Sequence, residues 1–341
     1  MTSPCSPTPE SPDTPGPNIT PGPPGATSPD HDAPVGFFTR AWSSMRASTS
    51  SWRMPRSRVQ QEIVVCREPL SFLEQARMSP DIRLRLDDIK DWLTLQDYID
   101  ENLEDELILA FLHSCYYDVK AVKIAIVKYV ETKVCLPEIL DLEYDPYLQS
   151  DQMRRVRRNF KVCPLQHNSK NLLIIFVKCI NPDPRSFDYL GYHRLLFTIL
   201  TNCVHENPVR DGVVFVYDLD NFSFGQYKYG YFRTCSLLAK YYQDGLPFRI
   251  KSFYLINASY LAITLFNLRL LDVPFSGPKL RDKTHLYKTK HLVRLVRRLE
   301  GENVPKDYQG GLAPSCEQLH AAAIEKIQKM SKQRFSISSP S

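Results

Sequence analysis

The sequence predicts an α/β fold, with a helical N-terminal lobe followed by a mostly parallel sheet and flanking helices. Three short apolar runs carry that expectation: 172–177 (LLIIFV), 213–217 (VVFVY) and 253–256 (FYLI). Runs without polar residues at alternate positions suit strands buried on both faces. Helical spacing separates them, over 187–205 and 227–242. Strand, helix, strand, helix, strand at these distances implies parallel pairing through right-handed crossovers.

The elements follow in order. Eleven of the first 34 residues are proline, and that stretch holds Glu10, Asp13, Asp30 and Asp32 without a Lys or Arg. Such a composition cannot bury enough apolar area to offset its ordering entropy, so disorder is expected. Residues 35–61 reverse the charge: Arg40, Arg46, Arg53, Arg56 and Arg58 stand without an acid, interleaved with Phe37, Phe38, Trp42 and Trp52. A linker with phosphorylatable serines and a segment lying on an anionic bilayer both fit this pattern, although Pro55 interrupts any helix. The structured body is expected over about 62–330. Leu103, Leu107, Ala110, Phe111 and Ser114 fall on one helical face, and Ile108 and Leu112 widen it toward full burial. Asp118 can cap the next helix, where Val119, Val122, Ile126 and Val130 recur at helical spacing. Pro137 is expected to close that lobe. After the second strand, Tyr231, Cys235, Leu238 and Tyr242 share a helix face. Residues 260–271 (YLAITLFNLRLL) are apolar almost all round, interrupted by Thr264, Asn267 and Arg269. A surface helix needs one apolar stripe, so this one must meet something greasy on a second side, whether core, ligand or bilayer. Residues 331–341 are expected to form a polar, Ser-rich tail.

Several function classes are excluded. A net charge of +5 on 341 residues, without a long basic run, does not suit nucleic acid. No apolar run approaches the ~20 residues of a membrane-spanning helix. The first ten residues have neither a basic start nor an apolar stretch, so secretion is not expected. Nine cysteines without a C-x-x-C point to reduced thiols in the cytoplasm rather than a disulfide framework or a zinc site. His113, His193 and His285 form no ligand set, and no structural metal or cofactor is expected. There is no glycine-rich phosphate loop. Residues 221–225 (NFSFG) mimic a nucleophile elbow around Ser223, but Asn221 stands where the tight turn requires glycine. No enzyme is expected.

Four segments resemble the CRAL-TRIO lipid-binding family. Residues 105–123 (DELILAFLHSCYYDVKAVK) resemble its helical entry segment, and 242–257 (YQDGLPFRIKSFYLIN) its Q-D-x-x-P…I-N stretch. Residues 275–285 (FSGPKLRDKTH) and 304–311 (VPKDYQGG) are similar to its two closing motifs. Each is weak alone; their common order across residues 80–314 makes the set specific. They are most similar to the branch of α-tocopherol transfer and cellular retinaldehyde-binding proteins, which has many insect members.

Composition and the resemblance together divide the chain into four segments: a disordered Pro-rich stretch followed by an Arg/aromatic linker (1–61), which has no counterpart in the family's compact members, the helical lobe (62–140), the lipid-binding α/β domain (150–314), and a C-terminal helix and tail (315–341). The resemblance implies an apolar cavity under a lid helix beginning near Ser259, the same helix found greasy on both sides. Phe215, Tyr217, Phe253 and Leu255 on the strands, with Leu261, Leu265 and Phe266 on the lid, are the candidate pocket residues; the strand register is not fixed by the sequence. The branch also implies that basic residues hold a phosphoinositide head group, at Arg249, Lys279, Lys283 and, in place of the family's arginine, His113. Ser259 replaces the usual proline, and residues 270–273 look like an insertion; both changes fall on the lid. The implied partners are a hydrophobic small molecule and a phosphoinositide-containing membrane, reached transiently by a cytoplasmic monomer that carries rather than transforms its ligand. The alternative is a cargo-less adaptor or phosphoinositide sensor.

Overall fold

The computed structural model describes residues 79–96, 99, 103–140, 149–222, 226, 232–260, 263–264 and 278–338. The N-terminal linker, Ser223, Tyr231 and the expected lid residues Leu261, Leu265 and Phe266 lie outside them.

Three helices open the described chain. Helix α1 (Pro80–Thr94) starts with proline, whose missing N–H costs nothing at a first helical position. Helix α2 (Asp105–Ser114) buries Ile108, Leu109, Ala110, Phe111 and Leu112, which accounts for its nearly unbroken apolar run. Helix α3 (Val119–Cys135) is capped by Asp118, whose side chain accepts from the Lys120 and Ala121 amides. Ile89, Ile108, Phe111, Leu112, Val122, Ile126 and Val130 from these helices form one cluster. Pro137 does not close the lobe. It opens a further short helix, α4 (Pro137–Leu140), where a first-turn proline again loses no hydrogen bond.

Helix α5 (Asp151–Asn159), capped by Ser150, leads into strand β1 (Phe160–His167). Neither was expected, because α5 carries four arginines and β1 has neither a continuous apolar run nor a regular alternation. Strand β1 is an edge strand, where Pro164 is tolerated, and it pairs antiparallel with β2 (Leu172–Cys179). Helix α6 (Tyr189–Glu206), capped by Asp188, precedes β3 (Gly212–Asp218). Helix α7 (Phe232–Lys240) winds into a π-helical turn, Tyr241–Gly245, before β4 (Ile250–Ile256). Helix α8 (Pro278–Arg281), strand β5 (Thr284–Leu286), helix α9 (Leu292–Leu299) and helix α10 (Cys316–Ser338) follow. Helix α10 continues through residues expected to form a tail.

The five strands lie in the order β1-β2-β3-β4-β5, and every pair after the first is parallel. Alternation sorts their side chains between two cores. Leu173, Ile175, Val177, Val213, Phe215 and Phe253 meet α6 and Tyr242 on one face. Ile174, Phe176, Val214, Val216, Tyr254 and Ile256 meet Leu295, Leu299 and Tyr308 on the other. Both faces are covered, so the strands read as continuous apolar runs. At the start of β3 the backbones come very close: a Cβ on Gly212 would lie 2.4 Å from the Arg249 carbonyl oxygen, so only glycine fits.

Candidate functional site: an aromatic sheet face and a basic cluster

The register left open by the sequence is now fixed. Phe215 pairs with Phe253 and Tyr217 with Leu255, so these four candidate pocket residues lie on one face of β3 and β4. Phe215 and Phe253 stack with centroids 5.1 Å apart at 12°, and Tyr217 lies 6.2 Å from Phe215 and 6.3 Å from Phe253. Tyr242, from the π turn, meets both phenylalanines edge-on at 5.8 and 6.0 Å. These spacings are typical of attractive aromatic pairs, worth about 0.5–1.5 kcal/mol each beyond area burial. Phe215 and Phe253 are buried, whereas Tyr217, nearer the carboxyl ends of the strands, is half-buried. The chain leaves β4 at that same end. There Ile263 N donates to Ser259 O (3.0 Å) and Thr264 Oγ1 to Tyr260 O (2.9 Å), the first bonds of a helical turn. Tyr260 is 78% exposed, and Lys288 Nζ sits 5.8 Å from its ring centroid.

At the opposite end of the strands, two of the four head-group candidates meet. Arg249 Nη2 donates to His113 Nε2 at 3.1 Å, so the neutral ring carries its proton on Nδ1, 3.2 Å from the Tyr117 hydroxyl. Burial, and then the Arg249 charge, push the His113 pKa down from 6.5 to about 4, against an opposing pull from Asp211. His113 therefore supplies no charge at neutral pH. The Arg249 guanidinium stacks on Tyr116, 4.4 Å from the ring centroid, and Nη2 lies 3.6 Å from Asp211 Oδ1. Tyr116 and Tyr117 hold positive φ angles of 56° and 60° at the end of α2, a costly conformation that presents one ring to Arg249 and the other to His113. Lys283 Nζ donates to the Ile250 carbonyl at 2.8 Å, one residue from Arg249. Lys279 lies in α8, and nothing is described of its side chain.

Asp211, Tyr116 and Tyr117 were not singled out by sequence reasoning. Asp211 immediately precedes a strand and reads there as turn chemistry, and nothing local reveals that β3 and β4 start side by side. Tyr192 on α6, buried beside the aromatic face, was also missed. A signal existed, since it falls among apolar residues of a buried helix although its hydroxyl needs a partner.

Other polar groups have structural roles. Asp218 accepts from Tyr308 Oη (2.9 Å) and Asn257 Nδ2 (2.7 Å), fastening the end of β3 to β4 and to the 304–311 segment. Among the described residues, Glu104, Glu106 and His205 place possible ligand atoms within 4.8 Å of one another. Glu104 Oε2 is 3.1 Å from His205 Nδ1, a polar contact between the start of α2 and the end of α6. No described helix is long and apolar enough to cross a membrane.

Residues 157–310 match the family model of the CRAL/TRIO domain, and residues 79–150 match that of the Pinta-like UBA domain. The first match supports the CRAL-TRIO family and lipid binding in general. Among solved structures the chain is similar to "Crystal structure of Sfh5", at 10% identity and a TM-score of 0.44, over 76% of this chain and 99% of that one. No curated protein sequence matches.

Proposed function

We propose that this chain, through its CRAL/TRIO segment, encloses one hydrophobic small molecule and carries it between membranes, docking on phosphoinositide head groups. The observation that carries the reading is the aromatic face of β3 and β4, ending in half-buried Tyr217 where the chain departs into the apolar 260–271 segment. Removing a guest's surface from water there supplies ~0.8 kcal/mol per CH₂, without any chemical step. The four motifs favour a tocopherol- or retinoid-like cargo, and the protein would work as a cytoplasmic monomer that visits membranes.

Docking follows from the cluster at the start of β4. A phosphate approaching Arg249 competes with Asp211, whose side chain is 53% exposed and so free to swing toward solvent. Guanidinium–phosphate pairing is charge-assisted and bidentate, which the longer 3.6 Å contact to Asp211 is not. Lys283, bonded to the Ile250 carbonyl, would add charge beside it, and Lys279 remains a candidate by its motif. Each such charge is worth ~1 kcal/mol near an anionic surface, enough for reversible docking.

One vesicle experiment tests both halves. The purified chain is mixed with vesicles containing a dilute fluorescent apolar probe, with or without phosphatidylinositol bisphosphate, and the vesicles are sedimented. A carrier brings probe into the supernatant at up to one per chain, whereas a cargo-less adaptor leaves it in the pellet. Arg249→Ala with Lys279→Ala should weaken binding to the phosphoinositide vesicles by about 10- to 30-fold and leave neutral vesicles unaffected. Equal losses on both vesicle types would contradict the head-group assignment.

A further inference from the structure

Two hydroxyls beside the aromatic face have no full hydrogen-bond partner among the described residues. The Tyr192 and Tyr242 oxygens are sealed from solvent and make no hydrogen bond, although both side chains are only 6% exposed. Tyr217 lies close enough to interact with both, but neither contact reaches the geometry of a full hydrogen bond, so each hydroxyl keeps capacity for another partner. The three phenols come from three elements, α6, β3 and the π turn, and converge on one edge of the apolar floor. Burial pushes all three pKa values up, so they remain neutral hydroxyls at any physiological pH. The groups acting on Tyr192 and Tyr242 are other phenols, with no lysine or arginine among them.

Buried polar groups are almost always paired with protein, water or ligand. Two orphaned hydroxyls around a third, on a face otherwise made of phenylalanine and aliphatic side chains, mark a place built for one further polar atom. A phenol both donates and accepts, so it satisfies an alcohol and a carbonyl equally well. With no lysine or arginine among the described groups that act on them, these phenols cannot repay the desolvation of a carboxylate or phosphate.

We propose that Tyr192, Tyr217 and Tyr242 form the polar end of the binding site and hold the single neutral oxygen of the cargo, an alcohol, phenol or carbonyl. The protein would thereby select neutral, single-headed lipids over fatty acids and phospholipids. This deepens the carrier reading and rests on it. The π turn fits the assignment, because one wide turn re-aims Tyr242 relative to the helix it ends, and such turns concentrate at functional sites.

Three probes of equal chain length separate the possibilities. Lipid-stripped full-length protein is titrated at pH 7 with dodecanol, dodecane and dodecanoate. Dodecanol should bind about 10-fold more tightly than dodecane, with dodecanoate weakest. In the Tyr192→Phe/Tyr242→Phe double variant, which keeps ring volume, that advantage should shrink to about twofold or less while dodecane affinity is retained. Retained dodecane binding also shows that the variant is folded. Equal binding of alcohol and alkane by the unaltered protein, tightest binding of dodecanoate, or an alcohol preference that survives both substitutions would overturn the assignment. Equal alcohol and alkane binding would leave the hydroxyls a water site. Failure of all three probes to bind would overturn the carrier reading itself, a different result from loss of preference alone.

Discussion

His113 shows how neighbours decide what a residue does. Its position at the end of α2 resembles a family arginine, but burial and Arg249 keep its ring neutral, so it serves as an acceptor that fixes the guanidinium. His193 and His320 are likewise pushed down from 6.5 to about 4, chiefly by burial. The three share a linkage consequence. A histidine whose folded pKa is depressed takes up its proton more readily in the unfolded chain, so stability falls as the pH drops from 6.5 toward 4. Paired carboxylates such as Glu300, lowered from 4.5 by Lys170, act only at lower pH. The urea midpoint should therefore fall between pH 7 and pH 4.5, and the fall should be smaller in His113→Gln. A midpoint flat over that interval would contradict the assigned burial of the rings. Arg249 was legible as a candidate from its motif, but its stacking on Tyr116 and its pairing with Asp211 depend on contacts distant in sequence.

Helices and strands were legible wherever one simple pattern governed them. The runs at 172–177, 213–217 and 253–256 became β2, β3 and β4, because strands covered on both faces need apolar residues throughout. Strand β1 escaped, since an edge strand can carry Lys161, Pro164 and Gln166, which break up both an apolar run and a regular alternation. Helix α5 escaped for a related reason: only Met153 and Val156 are buried in it, two anchors on an otherwise basic surface. Proline ends helices, and α3 does stop at Cys135 just before Pro137, but at a first position the same residue also begins α4. The Asp118 cap was legible from side-chain chemistry alone. Asp118→Ala should destabilise the protein by about 1 kcal/mol, as loss of an N-cap typically does. Chemical denaturation would check this, and an unchanged midpoint would mean that α3 is held by its buried Val122, Ile126 and Val130 face without help from the cap.

For the molecule as a whole, sequence patterning foretold a helical lobe followed by a mostly parallel sheet, and that is the architecture found. Where the chemistry lies was less accessible. The two ends of β3 and β4 carry different tasks: the starts gather Arg249, His113 and Lys283, and the finishes offer the aromatic floor and the departure toward 260–271. One strand pair thus joins a charged cluster at its start to an aromatic face further along, an arrangement no single motif encodes. The three phenols of the proposed polar end lie on α6, β3 and the π turn and converge only in the fold.

Native mass spectrometry of the full-length chain tests the central claim most directly. The account predicts a mass exceeding that of the polypeptide by one small apolar molecule, and loss of that excess on mixing with phosphoinositide-containing vesicles. A bare polypeptide mass that stays bare after incubation with neutral lipids would contradict it.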